Sequence, residues 1–87
     1  MLYHAAIEVT LRSSILDPQG KATAHALGQL AFKGIEDVRI GKFIELRIQA
    51  DSAAAAEGIA RSACQKLLAN QVMEDFRIRI TELELAS

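Results

Sequence analysis

Reactive side chains are few in this sequence. It holds one cysteine, Cys64, and two well-separated histidines, His4 and His25. A thiolate nucleophile needs a base within hydrogen-bond reach, and a structural zinc needs four Cys or His ligands at short spacings; neither pattern is present. Cys64 falls on the apolar side of a helical repeat, where a thiol behaves as a small hydrophobe with a raised pKa. His4 has the outward parity of an alternating segment and His25 lies off an apolar stripe, so both read as surface side chains. The pairs Glu36-Asp37 and Glu74-Asp75 each precede a strand-like run and read as polar loops. Neither a GxxxxGK[ST] loop nor a GxGxxG turn occurs, so nucleotide binding has no motif behind it. Leu16-Asp17-Pro18-Gln19-Gly20-Lys21 brings free helix amides and an ammonium together, as a phosphate site would. Asp17, however, occupies that helix end as its cap and repels an anion.

The elements that must position these residues follow from periodicity. Tyr3 to Arg12 alternate, with Tyr3, Ala5, Ile7, Val9 and Leu11 on one face. Asp17-Pro18 starts a first helix, whose core stripe is Ala22 or Thr23, Ala26, Leu27, Leu30 and Ala31, closed by Gly34. Val38, Ile40, Lys42, Ile44, Leu46, Ile48 and Ala50 then keep a single parity straight through Gly41. A two-residue Gly41-Lys42 hairpin would put the two apolar sets on opposite faces. One long strand over Val38–Ala50 bent at Gly41 is the preferred geometry, with a three-residue loop ending in a left-handed glycine as the alternative. Asp51 and Ser52 can cap a second helix with Ala56, Ile59, Ala60, Ala63, Cys64, Leu67 and Leu68 on one stripe, closed by Asn70 in a left-handed conformation. Phe76, Ile78 and Ile80 form a last strand, after which the apolar parity switches to Leu83 and Leu85, implying a bulge or a tail facing another chain.

This order predicts one α+β domain over residues 1–87, ferredoxin-like in character, with an antiparallel or mixed sheet and both helices on one face. The uncovered face is then expected to carry Glu8, Arg12, Arg39, Phe43, Glu45, Arg47, Arg77 and Arg79, five of the six arginines among them. Arginine forks on a rigid sheet suit carboxylate or phosphate recognition or a polar subunit interface; cross-strand Glu and Arg pairs in solvent are the simpler reading. Phe43 in that row is a poor choice for solvent.

With 87 residues, the chain makes a single small domain that buries roughly two-thirds of its surface, so help from a partner subunit is expected. A composition 51% hydrophobic and 24% charged, with a net charge of −1, gives no electrostatic case for nucleic acid or an anionic membrane. A single cysteine excludes an internal disulfide and fits a reducing cytosol. No basic region leads into a long apolar run, and no stretch approaches the ~20 apolar residues needed to span a bilayer, so a soluble, cytoplasmic protein is expected.

Three segments carry a family resemblance: ILDPQGKA at 15–22, EDVRIGKFIEL at 36–46 and CQKLLANQVMEDFRI at 64–78. Together, and in this order over nearly the whole chain, they resemble PurS, the small subunit of bacterial and archaeal phosphoribosylformylglycinamidine synthase. The resemblance implies a non-catalytic subunit that clamps a glutaminase (PurQ) to an ATP-dependent synthetase (PurL), so that ammonia released from glutamine reaches formylglycinamide ribonucleotide. ATP, Mg and glutamine would be used by those partners, with no cofactor in this chain. The family boxes fall on Leu16, Asp17, Pro18, Gln19, Gly20 and Lys21, on Val38, Arg39, Gly41 and Lys42, and on Leu67, Leu68 and Asn70. Expected partner-interface residues are thus Asp17, Gln19, Gly20, Lys21, Arg39, Gly41, Lys42 and Asn70, with Phe43, Leu83 and Leu85 at a homodimer or higher homo-oligomer contact. The rival expectations are a small-molecule-sensing domain, resting on fold analogy alone, and an acylphosphatase-type enzyme, for which SSILDPQG lacks the Gly-rich anion loop.

Overall fold

The computed structural model describes residues 1–83. Its elements are β1 (Leu2–Leu11), α1 (Pro18–Gln29), β2 (Lys42–Gln49), α2 (Ala53–Ala63) and β3 (Glu74–Leu83), with a π-helical turn, Cys64–Leu68, continuing α2. The sheet is antiparallel throughout, in the order β2-β1-β3. The α+β expectation holds, and the sheet is the antiparallel alternative of the two.

The core is the inward row of the central strand. Tyr3, Ala5, Ile7 and Val9 of β1 are buried against Ala56 and Ala60 of α2 and Cys64 of the π-helical turn, while Ile44, Leu46, Phe76, Ile78 and Ile80 of the flanking strands are half-buried around them. Alanines along α2 let the helix approach the sheet closely. Ser52 caps that helix, its Oγ accepting from the Ala55 amide at 3.0 Å.

Several expectations are corrected. Only α2 packs extensively on the sheet, most of all over β3; α1 packs extensively on no other element, and of its residues only Gly20 is buried. The expected stripe Ala26, Leu27, Leu30 and Ala31 therefore faces no core of this chain, and the molecule spreads to 50 × 33 × 15 Å. The amphipathic spacing was read correctly as a helix; what spacing cannot say is which surface the stripe meets. α1 ends at Gln29, five residues before Gly34. Gly34 does have a positive φ (90°), but the left-handed residue that closes the helix is Ala31 (φ 67°): the Phe32 amide donates to the Leu27 carbonyl and the Ala31 amide to the Gly28 carbonyl, the paired bonds of a Schellman closure.

The long strand Val38–Ala50 is also shortened to Lys42–Gln49. The ladder stops at the pair Val9↔Lys42 because Gly41 crosses close over the end of β1, where a Cβ would overlap the Val9 carbonyl oxygen. The Ile40 amide goes instead to Asp17. No hairpin forms at Gly41 either, since β2 pairs with β1 alone. At the other end, β3 runs without a bulge to the pair Leu2↔Leu83, so the parity switch places Leu83 on the open face. Asn70 does not adopt a left-handed conformation; the helix instead unwinds through a π turn, with the Ala69 amide donating to Cys64 O at 3.0 Å.

Candidate functional site

The first two boxes meet at one carboxylate. Asp17 Oδ1 accepts from the Gly20 amide at 2.9 Å, capping α1, while Oδ2 accepts from the Ile40 amide at 2.8 Å. Pro18 follows the cap at the first helical position, where a missing amide costs nothing. Among the described residues, Asp17 is the buried charged side chain, 8% exposed. The Ile40 and Gly20 amides, with the Arg39 guanidinium nearby, hold its carboxyl below the usual range against the opposing effect of desolvation. Gly20 is required at this junction, since a Cβ would overlap the Val38 carbonyl oxygen and press on Asp17 itself. Arg39 donates to the Leu11 carbonyl and so ties the same junction to the end of β1. It lies off the open sheet face on which its parity had placed it.

The third box joins through Lys42. Its Nζ donates to the Leu68 carbonyl at 3.3 Å and lies 3.9 Å from Glu74 Oε1, which in turn accepts from the Asn70 amide at 2.8 Å. The Asn70 side-chain oxygen accepts from the Val72 and Met73 amides at 3.0 and 3.2 Å, an Asx turn that leads the chain from the π turn into β3. Between the two junctions lies an open cleft of about 410 Å³ lined by Leu11, Asp17, Pro18, Gln19, Ile40, Gly41, Lys42 and Glu74. Asp17, Gln19, Gly41 and Lys42 thus line one depression, while Lys21 and Arg39 line a second one that shares Asp17, Gly20 is buried against Asp17, and Asn70 is joined to Lys42 through Glu74. The Gln19 and Lys21 side chains are exposed on the first turn of α1 and make no hydrogen bond among the described residues, whereas those of Arg39 and Lys42 are engaged within the chain.

Reasoning from sequence missed Glu74, which was read as part of a polar loop and is the acceptor joining Lys42 to Asn70. It also missed the carbonyls of Leu11, Val38 and Leu68, and no side-chain signal marks a carbonyl. The remaining candidates lie elsewhere. Phe43 is 61% exposed on the open face beside Glu8, in a row continued by Arg77, and Leu83 borders Leu2 on that face. Arg47 and Arg79 share the face and, with Arg77, form no ion pair among the described residues; His4 Nε2 lies 3.3 Å from Glu45 Oε1. Leu85 lies outside the described residues. Cys64 is buried, and its thiol is pushed up by desolvation, Arg61 opposing weakly. Among the described residues there is no cluster of three His, Cys, Asp or Glu fit to hold a metal, and no helix long and apolar enough to cross a membrane.

Comparison with known proteins matches residues 4–82 to the family model PurS, phosphoribosylformylglycinamidine (FGAM) synthase. The PurS subunit of Synechocystis is 48% identical over 82 residues, covering 94% of this chain and 82% of that protein. The solved structure of Thermus thermophilus PurS, 36% identical, superposes with a TM-score of 0.85 over 97% of this chain and 100% of its own. A chain in the structure of PurLQS from Thermotoga maritima, 32% identical, reaches 0.87 over 93% and 99%. The three boxes, joined to one another through Asp17, Lys42 and Glu74, and the full-length matches lead to one conclusion: this chain belongs to the PurS family.

Proposed function

We propose that the chain is the small, non-catalytic subunit of a formylglycinamide ribonucleotide amidotransferase, the FGAM synthase of purine biosynthesis, where it holds a PurQ-type glutaminase against a PurL-type synthetase. The observation that carries this reading is the near-complete superposition on a chain of the Thermotoga PurLQS structure. The shape supports it: a flat body, a projecting arm and a rigid root between them make a spacer with two sides. Ammonia released into water protonates and stops being a nucleophile, so the two active sites must be held in register while it passes. A subunit can do that by position alone.

On this reading the exposed Gln19 and Lys21 make direct polar contacts with one partner, while Asp17, Gly20, Arg39, Gly41, Lys42 and Asn70 hold the surface that presents them. Phe43, Leu83 and Leu85 belong to a homodimer contact. ATP, Mg and glutamine are bound by the partner subunits and none by this chain, and the complex works in the cytoplasm. Sedimentation of a mixture with the synthetase and the glutaminase tests the assembly. One boundary containing all three chains is expected, weakened by Lys21→Glu; synthetase and glutaminase sedimenting together equally well without this chain would overturn the reading.

A further inference from the structure

The open sheet face carries charge that the chain itself leaves unused. Glu8 stands on one rung between Phe43 of β2 and Arg77 of β3, and Ala6 stands on the next rung of that face between Glu45 and Arg79. Opposite charges face each other on the first of these rungs, yet Glu8 and Arg77 form no ion pair among the described residues, and neither does Arg79. The small Ala6 side chain leaves a hollow of about 200 Å³ lined by Ala6, Glu8, Phe43, Arg77, Ile78 and Arg79. These groups ask for three different things in one ligand. Arg77 and Arg79 lie two residues apart, about 7 Å along one strand, so their forks can converge on a single phosphate. The exposed Phe43 ring offers a face to a flat aromatic system. Glu8, between them, accepts from hydroxyls and repels a further anion.

We propose that this hollow binds a nucleoside monophosphate, with the phosphate on Arg77 and Arg79, the ribose over Ala6 donating its hydroxyls to Glu8, and the base stacked on Phe43. The span agrees. Phe43 and Arg77 are two strand spacings apart, about 10 Å, a gap that a ribose bridges between its base and its phosphate as the long side chains lean inward. An acidic peptide fits less well, because its run of carboxylates would meet Glu8 among the arginines and give the Phe43 ring nothing to stack on. A polynucleotide also fits less well, because two arginines serve one phosphate and the whole chain carries a net charge of −1. The absence of a GxxxxGK[ST] loop is no obstacle, since here side chains on a sheet hold the anion instead of helix amides. The site goes beyond the function proposed above and does not rest on it; of Phe43, placed there at a contact between copies, it uses one face of the ring.

The test titrates the isotope-labelled chain alone with AMP and follows its amide signals. Saturable shifts are expected at residues 6–8, 43 and 77–79, with α2 unmoved. The double variant Arg77→Gln/Arg79→Gln should weaken binding about tenfold, and Phe43→Leu about fivefold. All three side chains are exposed, so an unchanged urea midpoint verifies that each variant is folded. Adenosine and inorganic phosphate should each bind far more weakly than AMP, because each engages only one end of the hollow. Four results would overturn the site: no saturable shift at millimolar AMP, equal affinity for AMP and inorganic phosphate, undiminished affinity in the arginine variant, or tighter binding of an oligoadenylate than of AMP. Three-chain sedimentation reads the larger assembly separately.

Discussion

In the body of this molecule Ile7, Val9 and Cys64 are completely buried between β1 and α2, whereas from Pro18 to Gly41 only Gly20 is buried. The body is held by apolar area removed from water, a force without direction that tolerates small shifts. The arm is held at its root by hydrogen bonds to a single carboxylate and by two places where only a glycine fits. On the function proposed above, a subunit that keeps two enzymes in register benefits from this division. The body supplies stability, and the root supplies a fixed angle.

The contrast can be broken most sharply at the core. Ile7→Ala should lower the stability of the whole domain by about 3 kcal/mol, seen as a cooperative shift in urea unfolding by both sheet and helix probes. Gly41→Ala should cost about 2 kcal/mol, with a different signature. It forces the arm root away from Val9, so amide exchange should quicken from residue 38 to 42 while the amides of β3 keep their protection.

Acid should separate the two regions as well. The Asp17 carboxyl is held below its ordinary range in the folded chain, so its contribution is present above the unfolded value and disappears as pH falls through the folded one. Exchange at the Gly20 and Ile40 amides should therefore rise at pH values below the usual carboxylate range, and Asp17→Asn should show that loosening at neutral pH. The smallest expected effect is a gain. Ala31 occupies a left-handed conformation that favours glycine, so Ala31→Gly should stabilise the closure of α1 by about 0.5–1 kcal/mol, measured as slower exchange of the Phe32 amide.

Much of this was legible in the residues, for reasons that also explain the failures. Alternation in Tyr3–Leu11 and the Ser52 cap before an alanine-rich stripe are local signals, and each produced the element expected. The Asp17-Pro18 cap was legible too, yet its second bond, to Ile40, joins residues far apart in sequence and left no local trace. The parity through Gly41 was real but misleading: Ile40 keeps the strand's alternation while its amide has already left the ladder for Asp17. Arg39 shared the parity of the open face and turned to the Leu11 carbonyl for the same reason. The stripe of α1 specified a helix and stayed silent on its cover, because apolar spacing records that a surface must be buried and not by which chain.

The most direct measurement is turnover of formylglycinamide ribonucleotide by a synthetase and a glutaminase, driven by glutamine and, in parallel, by supplied ammonia, with and without this chain. Glutamine-driven turnover is predicted to collapse in its absence and to return as it is added back, while ammonia-driven turnover persists throughout. Full glutamine-driven turnover without the chain, or turnover by the chain alone, would contradict a role made of position.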